Sequence, residues 1–230
     1  ETRVDILVTP LVTIFSGVGL SMLIAAPIGA AASQVGTLIM WATEQAPLVM
    51  GILVSVIVGV ALTLPISSAA ICAALGLTGL AGGAAVAGCC AQMIGFAVMS
   101  YKENGVGGLV SQGLGTSMLQ MGNIVKNPRI WIAPTLASAI TGPLATCVFH
   151  FEMNGAAVSS GMGTCGLVGQ IGVYTGWVSD IAAGTKAAIT PMDWAAMVLL
   201  CFVLPAVLSV VFCEIERKLG WIKDGDLKLN

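Results

Sequence analysis

The sequence predicts an all-α integral membrane protein with about five transmembrane helices plus two or more re-entrant hairpins. Three observations carry that reading. Residues 45–101 contain no Asp, Glu, Lys, Arg or His, a neutral stretch more than twice the ~20 residues that cross a hydrocarbon core. The composition agrees, being 57% hydrophobic and only 9% charged, with 29 glycines, a residue commoner in membrane helices than in soluble ones. Finally, two stretches rich in glycine and glutamine interrupt the apolar runs with no charge to bring them to water. Broken backbone of that kind is costly against lipid and tolerated when buried in protein.

Charged residues punctuate the chain, because placing one at mid-bilayer costs at least ~2.5 kcal/mol. The first apolar run covers residues 6–43, with a break expected at Pro27-Ile28-Gly29 and an interface marked by Trp41 and Glu44. Residues 47–64 form the next span, ended by Pro65. Residues 69–101 are too long for one span, which suits a re-entrant piece leading into another helix. Lys102-Glu103-Asn104 then reaches water. Residues 105–125 carry Gly105, Gly107, Gly108, Gln112, Gly113, Gly115, Gln120 and Gly122 and read as a re-entrant hairpin closed by Lys126-Asn127-Pro128-Arg129. A clear span over 130–151 follows, then a second hairpin around 161–170 and a last span over 194–213. Residues 1–213 therefore read as one membrane-embedded domain and 214–230 as a charged tail. The opening Glu1-Thr2-Arg3, without Met, leads us to expect that the domain's N-terminal part lies outside this sequence.

Lysine and arginine set the orientation. Arg217, Lys218, Lys223 and Lys228 in the tail, with Lys126 and Arg129, place both segments on the cytoplasmic side, leaving Asp180, Lys186 and Asp193 on the far side. A net charge of −2 without a basic patch argues against a nucleic-acid partner. The seven cysteines fall in no ligand spacing and the only histidine is His150, so no metal or other cofactor is expected.

Longer strings narrow the reading. Leu62-Thr-Leu-Pro-Ile-Ser-Ser68, Gly88-Cys-Cys-Ala-Gln-Met-Ile-Gly95, Asn104-Gly-Val-Gly-Gly108, Gln112-Gly-Leu-Gly-Thr-Ser-Met118, Asn123-Ile-Val-Lys-Asn-Pro-Arg129 and Gly161-Met-Gly-Thr164 resemble the EIIC-type membrane proteins of the bacterial phosphotransferase system, in their PfoR-like branch. The resemblance implies a sugar-permease subunit of the bacterial cytoplasmic membrane, a homodimer in the lipid bilayer that binds and translocates a sugar or polyol. Phosphotransfer would then occur only together with EIIB and EIIA partner proteins. The Gly-Ile-Thr-Glu-Pro motif of better-known sugar EIIC proteins is not in this chain. Two alternatives accordingly stand beside the permease: a membrane sensor or regulator with the same fold, and a permease for a non-sugar solute without phosphotransfer.

Candidate site residues follow from their chemistry. Glu152, His150 and Asn154 alternate between an apolar span and a glycine-rich stretch; on extended backbone they converge, and a carboxylate, imidazole and amide together suit a polyol. Gln112 and Gln170 sit in the related pentapeptides Gly108-Leu-Val-Ser-Gln112 and Gly166-Leu-Val-Gly-Gln170, where paired interrupted segments point to a transporter's midplane site. Ser67 and Ser68 follow the Pro65 break and are expected in the same cavity. Asn127 and Arg129 are expected to contact the phosphoryl donor, since a guanidinium matches phosphate geometry.

Overall fold

The computed structural model describes residues 5–229, and the side chains of these apart from residues 5–7, 20–26 and 28. Helices make up the described residues: α1 (Asp5–Gln45), α2 (Pro47–Thr63), α3 (Ser68–Leu75), α4 (Gly79–Met99), α5 (Tyr101–Val110), α6 (Met121–Lys126), α7 (Ile132–Pro143), α8 (Val168–Ala182), α9 (Pro191–Val198) and α10 (Leu204–Lys218). The only β feature among them is an isolated antiparallel bridge between Gly79 and Met153.

Helix α4 is the axis of the fold. It packs against α2, α7 and α10, and its residues are small because those backbones come close: a Cβ on Gly88 would meet the backbone of Ser55, and one on Gly83 the carbonyl of Phe151. Small side chains at helix contacts are how membrane helices gain packing where no hydrophobic driving force separates helix from lipid. Ala84, Ala85, Val86, Ala87, Cys89 and Cys90 are fully buried as a result. The seven cysteines are free thiols, five of them buried, as expected of small packing residues.

Among the described residues, three helical stretches are long and apolar enough to cross a membrane: Gly79–Met99, Pro128–Val148 and Pro191–Lys218. The second and third lie close to the predicted spans over 130–151 and 194–213, and the first falls within the predicted run 69–101. The predicted break at Pro27 does not occur, for α1 runs unbroken from Asp5 to Gln45 with both Pro10 and Pro27 inside it. Proline removes one backbone donor and bends a helix. Ending the helix there would free several more polar groups in an apolar run, which is the worse outcome.

The two glycine-rich stretches are broken, as their composition requires. Helix α5 passes through Gly105 at φ 58° and ψ −155°, a conformation only glycine adopts easily. A π-helical turn at Ser111–Gly115 and a 3₁₀ turn at Ser117–Gln120 then lead into α6. In the second stretch, 3₁₀ turns at Ala157–Gly161 and Cys165–Leu167 precede α8. Side chains satisfy the interrupted backbone: Ser68 donates to the Gly161 carbonyl at 2.7 Å, Ser160 to that of Leu77 at 2.6 Å and Thr164 to that of Gly113 at 2.5 Å. The last of these joins the two stretches directly.

Residues 214–229 pack onto the rest of the molecule. Helix α10 continues to Lys218, and the chain then folds back, burying Ile222 and Leu227 against Phe96, Met99, Ile124 and Ile130. This return segment, residues 219–229, defines what we term the tail side of the molecule.

Candidate functional site

The helix ending at Val148 cannot continue, because His150 takes a left-handed backbone conformation (φ 44°). The chain leaves it extended, and Met153 pairs with Gly79 through two 3.0 Å backbone hydrogen bonds. Past His150, the extended backbone throws the Glu152 and Asn154 side chains to one side, and a cavity of about 460 Å³ opens there, at the end of the molecule opposite the return segment. Its walls include His150, Glu152 and Asn154 together with Trp177, Asp180, Lys186 and Asp193.

Asn154 sits between two carboxylates. Its Nδ2 donates to Glu152 Oε2 at 3.0 Å and to Asp180 Oδ2 at 2.9 Å. Across the cavity, Lys186 donates to Asp193 Oδ1 at 2.8 Å and lies 5.9 Å from the Trp177 ring centroid. Trp177 is held edge-on against Trp194, centroids 5.6 Å apart. The 28-residue helix Pro191–Lys218 is longer than the ~20 residues a bilayer core needs, so its first turn lies beyond the apolar part that begins at Trp194. There Thr190 and Asp193 form a reciprocal capping box. Burial works to raise the Asp193 carboxyl, but hydrogen bonds from Lys186 and from the Thr190 N–H and hydroxyl outweigh it and hold the pKa below the ordinary carboxylate value.

Three carboxylates therefore face one ammonium in this cavity, beside an amide and an indole face. Carboxylates accept hydroxyl hydrogen bonds, the amide both donates and accepts, and the indole offers an apolar face. Chemically, such a set can exchange hydrogen bonds with hydroxyl groups beside an apolar face. The trio His150, Glu152 and Asn154 was legible in the sequence as a group; Asp180, Lys186 and Asp193 were read only for orientation, and Trp177 was not singled out. A signal was present, since Asp180, Lys186 and Asp193 are the only charges between Glu152 and Glu214.

The remaining candidates lie elsewhere. Ser67 is exposed and caps α3 by accepting from the Ala70 N–H at 3.1 Å, while Ser68 is buried on Gly161. Neither lines the cavity, because α3 packs on Ala157–Gly161 rather than on the 150–154 segment. Gln170 is buried in the first turn of α8, where its Nε2 donates to Cys90 Sγ at 3.2 Å and its Oε1 has no partner. Gln112 is fully buried and belongs to a chain of amides on the tail side: it donates to Ser100 Oγ at 2.8 Å and accepts from Gln120 Nε2 at 2.9 Å. The pentapeptide match thus does not translate into matching surroundings. Asn127 caps the 3₁₀ turn Pro128–Trp131 and donates to the Trp221 carbonyl and Asp226 Oδ2, both at 2.9 Å. The Arg129 guanidinium lies 5.6 Å from the Trp221 ring centroid.

One buried polar residue was missed altogether. Gln92, in the middle of α4, accepts from Trp131 Nε1 at 2.9 Å and from Thr63 at 3.3 Å and donates to Thr135 at 3.3 Å. It ties α2 and α7 to the axis.

Comparison with curated proteins finds no match, and neither does comparison with solved structures. The family described as "Phosphotransferase system, EIIC" matches residues 1–229, and together with the apolar helices this makes the chain a member of that family, a membrane component of a phosphotransferase-system transporter.

Proposed function

We propose that the protein is a sugar permease subunit of a phosphoenolpyruvate-dependent phosphotransferase system, and that the cavity at Glu152, Asn154, Asp180 and Trp177 receives a neutral sugar or polyol. The observation that carries this is the bridging of Glu152 and Asp180 by the Asn154 amide inside a cavity walled by Trp177. Three carboxylates against one ammonium disfavour an anionic solute, so the free sugar rather than its phosphate fits. By the positive-inside rule the cavity faces outward and the return segment inward. The chain crosses the bacterial cytoplasmic membrane several times, with residues 105–125 and 161–170 as re-entrant hairpins, and works as a homodimer. Asn127 and Arg129 lie on the inward side, where an EIIB partner would deliver phosphate.

The test is a thermal-shift screen of purified protein against neutral sugars, sugar alcohols and sugar phosphates. A ligand that binds only the folded state at a hundred times its dissociation constant stabilises by about 2.7 kcal/mol. A neutral hit that vanishes in Asn154→Ala supports the reading. A hit among the phosphates alone, or one indifferent to Asn154, overturns the site. Silence across the panel moves the weight to a regulator or a non-sugar permease.

A further inference from the structure

The return segment is not held as an exposed terminus would be. Its carbonyls and amides are read one by one by side chains of the first glycine-rich stretch. Leu227 O accepts from both Asn104 Nδ2 at 2.8 Å and Gln120 Nε2 at 3.0 Å, Lys228 O accepts from Asn123 Nδ2 at 3.0 Å, and the Leu229 N–H donates to Asn104 Oδ1 at 2.8 Å. Behind these contacts runs an unbroken relay, Asn123 to Gln120 at 2.8 Å, Gln120 to Gln112 at 2.9 Å and Gln112 to Ser100 at 2.8 Å. The Leu227 side chain is fully buried beneath them. Glu103 adds a charged clasp, accepting from Arg217 at 2.9 Å and from the Gly225 N–H at 3.3 Å. Such an arrangement reads the main chain of a turn and the residues after it directly, much as a peptide-docking groove reads a bound segment.

The receptor is built on a part of the fold where the helix is interrupted. Gly105, next to Asn104, has a glycine-only conformation, and the π-helical turn Ser111–Gly115 separates Asn104 from Gln120 and Asn123. Turns of this type interrupt the ordinary hydrogen-bond ladder and mark places where a helix can rearrange. The docked segment bridges that interruption, because Asn104 on one side and Gln120 and Asn123 on the other all bind residues 227–229.

We propose that residues 219–229 are a strap whose docking on Asn104, Gln120 and Asn123 locks the 101–127 segment in the arrangement seen, and whose release frees that segment to move. Since the strap also engages Asn127 and Arg129, release frees both from those contacts. The proposal stands apart from the permease reading, because strap docking is measured without any solute.

Hydrogen exchange followed by mass spectrometry on the full purified chain tests it. Two perturbations reach the same contact from opposite sides: Asn104→Ala with Asn123→Ala in the receptor, and Leu227→Ser in the strap. Both are expected to raise exchange on the order of tenfold or more in 219–229 and in 101–127 together, with 150–182 unchanged as the internal control. Strap exposure with 101–127 unchanged would show the contact to be passive and overturn the proposal. Continued protection of the strap in both variants would show that the amides are not its receptor. Global loss of protection in both would make the strap part of the folding core, which equally sinks it.

Discussion

Asn154 donates to Asp180 at 2.9 Å, joining the extended segment after the Pro128–Val148 helix to the last turns of α8. The same Nδ2 reaches Glu152, so one amide holds two carboxylates within a cavity wall. A hydrogen bond to a charged group contributes about 1.5–3 kcal/mol. Asp180→Asn is therefore expected to weaken binding of a neutral polyol by roughly 10- to 100-fold, while moving the melting temperature little because Asp180 is only partly buried. Isothermal titration of the hit from the thermal-shift screen checks it; unchanged affinity would remove Asp180 from the site.

The closeness of α2 and α4 makes a second expectation. Gly88→Ala must push a methyl into the Ser55 backbone, and overpacking costs ~1–3 kcal/mol or more when the obstacle is main chain. Gly107→Ala, on α5 with open space around it, should be neutral or slightly stabilising. Melting temperatures of the two variants in one detergent give the comparison, and equal temperatures would deny the close approach.

Gln92→Leu keeps the volume of the hub and removes its polar atoms. The Trp131 N–H loses its partner, while the Thr135 hydroxyl keeps its bond to the Trp131 carbonyl, and a donor left without a partner costs about 1–3 kcal/mol. We expect a lowered melting temperature with Gln92→Glu partly restoring it, because Trp131 can still donate to a carboxyl oxygen. Identical stability of Gln92→Leu and the parent would refute the hub.

Glu216 lies beyond the apolar stretch that ends at Cys213. It is buried with neither carboxylate oxygen bonded, and desolvation pushes its pKa from 4.5 up to about 7. The folded state thus binds a proton more tightly than the unfolded one between those values, so its contribution to stability is present at low pH and lost as pH rises toward and through 7. Stability should fall as pH rises from 4.5 to about 7, the window set by that shift, and level off above it, and Glu216→Gln should flatten the profile. An unchanged slope in the variant would assign the pH dependence elsewhere.

How much of this was legible beforehand depends on the range of the interaction. Uncharged length alone settled that residues 45–101 live in a membrane, since no rearrangement of contacts alters the cost of hydrating or burying that run. Glycine density likewise announced broken backbone at 105–125 and 161–170, because lipid tolerates no exposed amide. His150, Glu152 and Asn154 could be grouped because they are two residues apart and follow a span. Pro27 misled the reading, as a local helix breaker whose effect the continuous apolar surroundings of α1 overruled.

What the sequence by itself determined was the solvent, the helical class and the places where helices must break, all of which follow from local composition and the cost of exposing polar backbone to hydrocarbon. Only the tertiary structure decided that Asp180, Trp177 and Lys186 join Glu152 around one cavity. It also decided that Gln112 and Gln170 part company and that the charged tail returns to dock on Asn104. Those pairings span tens of residues, and which partner a buried amide or carboxylate finds depends on where close-packed helices bring the chain, information that no local spacing carries.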